Sequence, residues 1–299
     1  MPLKLDDKLV IGVSSRALFD LEAENQIFEK DGLEKYSAYQ IEHEKDILKP
    51  GTAFPLVKAL QKLNTEGSYL TEIIVMSKNS ADTSLRIFNS IEHYHLNISR
   101  AALVGGAPIS PYLGAFKTDL FLSANEKDVQ EAIDANVAAG IICHHEHLPI
   151  DPNDDIKQIR IAFDGDAVIF SDESERIYRE QGLQAFEKHE RENANSPLHE
   201  GPFAKLLQTI SIIQQKFPKN AVPIRTALVT ARNAPAHERV IRTLRAWNVR
   251  IDEVFFLGGI EKSKVLEAFG ANIFFDDQSI HTDAAFVPSA RVLYKQNNG

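Results

Sequence analysis

The sequence predicts an α/β protein with parallel sheets covered by helices on both faces, built from two copies of one α/β unit. Three observations predict it. The chain is self-similar over much of its length, strand-length apolar runs alternate with longer helix-period stretches, and in each copy a strand closes on a Gly-Gly pair. Ser77–Ala124 lies on Thr230–Asp277 without a gap, pairing Arg86 with Arg239, Ile98 with Ile251, Gly105-Gly106 with Gly258-Gly259, Phe116 with Phe269 and Phe121 with Phe274. Upstream, at an offset three residues smaller, VSSRAL from Val13 falls on FDGDAV, Gly32-Leu33 on Gly182-Leu183, and Gly51 on Gly201.

Each copy has the same order of elements. A short apolar strand comes first (Leu9–Val13; Ile159–Phe163), then a long polar, helix-like stretch, then a second strand (Glu72–Met76; Thr226–Val229). An amphipathic helix follows, shown in the second copy by Ala236, Val240, Ile241, Leu244 and Trp247 at near-helical spacing. A third strand ends in Gly-Gly, another helix follows, and a fourth strand ends at Phe275 in the second copy. Near-continuous apolar strands between helices indicate a parallel sheet buried on both faces, with chemistry at the carboxyl ends of its strands. The expected organisation is a degenerate half over 1–125, a connecting helix and loop over 126–157, and a catalytic half over 158–299. A small helical cap lies at about 171–205.

Bulk composition bounds the function. The 299 residues are 43% hydrophobic and 25% charged, with a formal net charge of −9 and a pI near 5.6. No basic face is on offer for a nucleic acid polymer, although a metal ion would let an acidic protein take a small phosphate. One cysteine excludes an internal disulfide. No run approaches membrane-spanning length, and the apolar run in MPLKLDDKLVIGV is too short for a signal peptide. The expectation is a soluble cytoplasmic protein without a membrane partner, and a homo-oligomer is compatible with the sequence.

The copies differ where chemistry would sit. Asp164 and Asp166 align with Ser14 and Arg16, Thr230 with Ser77, Lys262 with Ile109, and Asp276-Asp277 with Ser123-Ala124. A lone Asp-x-Asp is commonly a turn or helix start, a lone Thr a strand residue, and a lone Lys a solvated one. The ordered set at matching strand ends, erased together in the other copy, is what points to a site. Gathered carboxylates repel, and a hard divalent cation such as Mg²⁺ resolves that repulsion while leaving room for a phosphate. Such a set suits hydrolysis of a phosphate ester through an aspartyl-phosphate. Asp164 would be the nucleophile and Asp166 the acid and base, while Thr230 and Lys262 hold phosphoryl oxygens. Asp276 or Asp277 joins Asp164 and Asp166 at the metal.

DGDAV, VTAR, the Gly-Gly-x-x-Lys segment and FFDDQ resemble the four motifs of the haloacid dehalogenase superfamily of phosphatases. The runs SSRALFDLEAENQIF, PGTAFPLVKAL, RIAFDGDAVIFSDESERI, TLRAW and IFFDDQ are similar, more narrowly, to the type I cytosolic 5'-nucleotidases, the AMP-preferring group. That resemblance implies a haloacid-dehalogenase-like fold and Mg²⁺-dependent hydrolysis of nucleoside 5'-monophosphates. It also implies that the Asp166 backbone carbonyl touches Mg²⁺ and that Asp277, rather than Asp276, completes the metal site.

Phe170 and the SDESER side chains after it are candidates for nucleoside contact, and Arg232 for a phosphate or base. Cys143, His144, His145, Glu146 and His147 are a dense run of metal-ligand types, but adjacent residues splay apart, so it reads as a polar loop. Arg16, Ser77 and Lys78 put a cation and a hydroxyl where the other copy handles phosphate, which suggests a nucleotide effector. The rival readings are a sugar-phosphate phosphatase, which shares every catalytic residue, and a non-catalytic nucleotide-binding regulator. A phospho-acceptor signalling module would begin with its acidic pair, whereas here the pair comes last.

Overall fold

The computed structural model describes residues 5, 7–144, 148 and 150–294. The chain forms two compact units, Met1–Val137 with His144–Ile156, and Ala138–Cys143 with Lys157–Gly299. The first unit contains β1 (Leu9–Val13), β2 (Phe19–Asp20), β3 (Lys49–Pro50), β4 (Thr71–Ser77), β5 (Arg100–Leu103) and β6 (Leu120–Ser123). Its main sheet runs β5-β4-β1-β6, and every pairing is parallel. Every residue of β1 and β6 is buried, as a sheet covered on both faces requires.

The second unit contains β7 (Ala138–Ile142), β8 (Ile159–Phe163), β9 (Ile224–Thr230), β10 (Glu253–Phe256), β11 (Ile273–Asp276) and β12 (Ser289–Val292). The order is β10-β9-β8-β11-β12-β7, parallel throughout except that β7 runs antiparallel to β12. The stretch expected as a connecting helix and loop thus holds helix Glu126–Asp134 in the first unit and then a strand of the second. Phe163, Phe203 and Phe275 pack together on this sheet, with ring centroids 4.8–6.2 Å apart.

The duplication is visible in the hydrogen-bond register. Leu9 sits beside Thr71 and Ile159 beside Ile224; Ile74 beside Arg100 and Ala227 beside Glu253; Ile11 beside Leu120 and Ile161 beside Ile273. Each pair carries the offsets read from sequence. The polar stretch after the first strand is, in both units, a hairpin of two helices. Glu22–Asp31 and Leu33–Glu42 turn on Gly32, and Glu173–Gln181 and Leu183–Glu192 turn on Gly182. Gly32 and Gly182 have φ of 85° and 81°, a conformation that a side chain would strain.

Each hairpin is entered and left through a backbone neck. In the first unit Phe19-Asp20 pairs antiparallel with Lys49-Pro50, and in the second Phe170 bridges Glu200. Gly201 closes the second neck by donating its N–H to Ile169 O, as Gly51 donates to Leu18 O. A Cβ on Gly201 would lie 2.3 Å from Phe170 O and 2.6 Å from Val168 O, atoms that the paired backbone holds in place. Gly201→Ala is expected to cost about 4 kcal/mol or more. A thermal melt checks it, and an unchanged midpoint would show that the neck yields.

Candidate active site

The carboxyl ends of β8, β9 and β11 bring the charged set together. Asp164 follows β8 directly, and its N–H donates to Phe275 O at 2.8 Å, as that of Ser14 donates to Leu122 O in the first unit. Thr230 is the last residue of β9 and Asp276 the last of β11. Lys262 opens helix Lys262–Phe269. From there its ammonium donates to Asp164 Oδ1 at 2.8 Å and to Asp276 Oδ2 at 2.6 Å.

Asp164, Asp276 and Asp277 each offer an oxygen within 4.8 Å of the others. Burial pushes Asp164 up to about 7; Lys262 opposes that shift, while Asp276 and Asp166 add to it. Burial likewise pushes Asp277 up to about 8, with Asp164, Glu175 and Asp276 adding like charge. Asp276 is raised by burial against the pull of Lys262. Burial alone would lower the Lys262 ammonium, but Asp164 and Asp276 outweigh it and hold the charge. One lysine cannot neutralise three carboxylates, and Asp277 Oδ1 is buried without a hydrogen-bond partner. The cluster is short of positive charge and offers only hard oxygen donors, which is the donor set of a Mg²⁺ site.

The Asp166 side chain stands outside that cluster. It is carried by a turn, Gly165–Ile169, in which Phe170 N–H reaches back five residues to Gly165 O at 2.9 Å, and Ala167 has φ of 60°. The first unit makes the tighter turn Ser15–Leu18, in which Phe19 N–H reaches back four residues to Ser15 O. The second unit therefore carries one extra residue here, and its following helix, Glu173–Gln181, is one residue shorter than Glu22–Asp31. An ungapped comparison of the copies hides both changes.

Arg232 grips Asp166 with two donors, Nη2 at 2.6 Å and Nε at 2.8 Å, and with its third nitrogen reaches Glu190 Oε2 at 2.5 Å. Its guanidinium lies 5.5 Å from the centroid of Phe186. Glu190 Oε1 in turn accepts from Arg239 Nη1 at 3.0 Å and from Ser174 Oγ at 2.7 Å. Arg232 lowered by burial alone would be costly, but the Asp166 and Glu190 charges more than offset it. The network joins the Asp166 turn to both helices of the hairpin. Sequence reasoning found Arg232 but not Glu190, which sits in the charge-rich run FEKHEREN and reads there as a solvated face.

The remaining expected residues fall as follows. Thr230 is buried, and its hydroxyl oxygen accepts from the Arg232 N–H at 3.2 Å. Phe170 is fully buried, its ring 5.7 Å from that of Trp247, so it is a core group at the neck. Of SDESER, Glu175 faces the site: burial raises it, and the Asp166 and Asp164 charges add to the shift. Its Oε1 also accepts from Gln278 Nε2 at 3.3 Å. In the Cys143–His147 run, His145, Glu146 and His147 lie outside the described residues. Among the described residues no helix is long and apolar enough to cross a membrane.

The model of the 5'-nucleotidase family matches residues 1–299. Human cytosolic 5'-nucleotidase 1B is 40% identical over 300 residues, an alignment covering 95% of this chain and 48% of that protein. The chain thus spans about half the length of that relative.

Proposed function

The chain belongs to the 5'-nucleotidase family, and from that premise we propose that it hydrolyses nucleoside 5'-monophosphates to nucleoside and phosphate. The observation that supports this reading best is the convergence of Asp164, Asp276 and Asp277 around Lys262, with Asp277 Oδ1 unpartnered. Asp164, Asp277 and Asp276 would hold Mg²⁺, together with the Asp166 backbone carbonyl. Bound there, the ion supplies positive charge to the carboxylates and to the phosphoryl oxygens.

The chain's own groups divide the work. An Asp164 carboxylate oxygen attacks phosphorus, and the bond to the nucleoside 5'-oxygen breaks as Asp166 gives that oxygen its proton. Asp166 then takes a proton from water, whose oxygen attacks the aspartyl-phosphate and releases phosphate, regenerating Asp164. Thr230 and Lys262 donate to the phosphoryl oxygens as negative charge shifts among them. Arg232 donates to both Asp166 oxygens in this structure, so it positions the carboxylate and must yield one oxygen when Asp166 carries the proton. The name of the human relative supplies "cytosolic", and we take the same setting for this chain.

Phosphate release from a panel of nucleoside monophosphates and sugar phosphates, with Mg²⁺ or with EDTA, tests the reading. Turnover of AMP in Mg²⁺ and none in EDTA is expected. Turnover of sugar phosphates alone would sink the nucleotidase reading while keeping the chemistry. A folded protein that binds nucleotide but releases no phosphate would be a binding protein instead.

A further inference from the structure

The degenerate half is not filled in. At the carboxyl ends of its strands lies a cavity of about 410 Å³, walled by residues of the first unit alone. That volume is ordinary for a small-molecule site. Part of its lining is polar: Ser14 follows β1, Ser77 ends β4, Ser123 ends β6, and Arg16 and Lys78 join them. The lining also offers apolar surface from Leu21, Phe28, Leu33, Tyr36 and Ile109, with Phe28 and Tyr36 in edge-to-face contact at 5.8 Å between centroids. Phe28 is 47% and Leu33 65% exposed, so both leave apolar surface open to a ligand in the cavity.

The polar groups specify the sign of that ligand. Arg16 Nε and Asn79 Nδ2, both from lining residues, are buried donors with no hydrogen-bond partner, so they call for an acceptor-rich group. Arg16 Nη2 rests on Glu22 at 2.8 Å and Lys78 Nζ on Asp128, which leaves donors of both cations free to turn inward. The lining carboxylates are committed, Asp128 to Lys78 and Glu24 to Arg86 at 2.7 Å. Ser14, Ser123 and Ala124 replace the three carboxylates of the other half, so nothing at these strand ends attacks phosphorus or gathers a divalent cation.

We propose that this cavity is a second binding site, for a nucleoside phosphate that it holds without hydrolysing. The phosphate meets Arg16, Lys78, Ser77 and Asn79, and the ring system lies against Phe28, Leu33 and Tyr36. The choice of a nucleoside over another ring-bearing phosphate rests on the nucleotidase reading of the duplicate half. The site needs no metal, and that separates it from the catalytic one.

Binding of AMP to the full chain in EDTA, followed by calorimetry, tests the proposal, with ribose 5-phosphate and inorganic phosphate as further probes. One saturable AMP site per chain is expected, weakened about tenfold or more by Lys78→Ala or Leu33→Glu and unchanged by Lys262→Ala. Ribose 5-phosphate should bind at least about tenfold more weakly than AMP, and inorganic phosphate more weakly still. Leu33 is exposed, so its variant keeps the test valid if Lys78→Ala fails to fold. Absence of saturable AMP binding in EDTA would overturn the proposal, as would binding that Leu33→Glu leaves unchanged or that Lys262→Ala abolishes. Metal-independent binding in a chain that hydrolyses nothing would support the site and overturn only the nucleotidase reading.

Discussion

Asp164→Asn is expected to lower kcat for AMP by about four orders of magnitude or more, while leaving the fold intact. Removing a nucleophile takes away the covalent step, and effects of that size are typical when the attacking group of a cooperating set is lost. The asparagine keeps the shape of the side chain and the acceptor that Lys262 reaches at 2.8 Å. It also removes one of three carboxylates packed within 4.8 Å. In EDTA the variant should therefore melt at the wild-type temperature or above it, because like charge is taken out of a buried cluster. Activity measured alongside a melt decides the matter. Turnover within tenfold of wild type would remove Asp164 from the role of nucleophile, and a collapse in melting temperature would show that its carboxylate serves the fold.

Glu190→Gln should have the largest effect on stability of any conservative change near the site. Glu190 is 1% exposed and takes charge-assisted bonds from two arginines that are themselves buried, Arg232 and Arg239. Neutralising it leaves both cations short of a carboxylate, at a cost of about 3 kcal/mol. The first unit shows how the same architecture manages with glutamine. There Gln40 stands in place of Glu190, and Glu24, in place of Ser174, supplies the carboxylate that Arg86 holds at 2.7 Å. Arg86 Nε donates to Asp46 O as Arg239 Nε donates to Ser196 O, so the arginine is placed alike in both units. The acid has simply changed helices. Adding Ser174→Glu to Glu190→Gln should recover part of the lost stability, because Arg239 regains a partner while Arg232 does not. Denaturant melts of the two single variants and the double variant give the coupling directly. Strict additivity would show that the acid cannot be moved in the second unit.

Much of this was legible in the sequence because duplication supplies its own comparison. The offsets fixed by VSSRAL and by Gly105-Gly106 are those of the strand register, and of the residues erased from the first copy Asp164, Lys262, Asp276 and Asp277 are gathered in the second, while Asp166 turns to Arg232. What escaped was whatever the comparison conceals. Arg86 and Arg239 are visible as a shared identity, but their acids sit on different helices, so no aligned pair shows the conserved charge. The extra residue in the Gly165–Ile169 turn is cancelled by the shortened helix behind it, which leaves the alignment ungapped. Phe170 follows the Asp164 strand closely enough to suggest a ligand contact, but its backbone bridges Glu200 and its ring packs on Trp247. The strand Ala138–Ile142 has no counterpart in the repeat and reads from sequence as part of a connection.

The paired necks also bear on how such proteins diversify. Chain entering and leaving each helical hairpin is already stitched together by backbone bonds, at Phe19–Pro50 in one unit and Phe170–Glu200 in the other. Closing the loop is therefore a cost borne outside the insert, and it grows only slowly with the length of what is inserted. The segment between the stitches can change length without rethreading the sheet, provided it still brings a carboxylate to where Glu190 meets Arg232 and Arg239. The two halves of this one chain offer a ready donor and recipient for such a graft, since their hairpins match in length to within a residue and differ in which helix carries the acid.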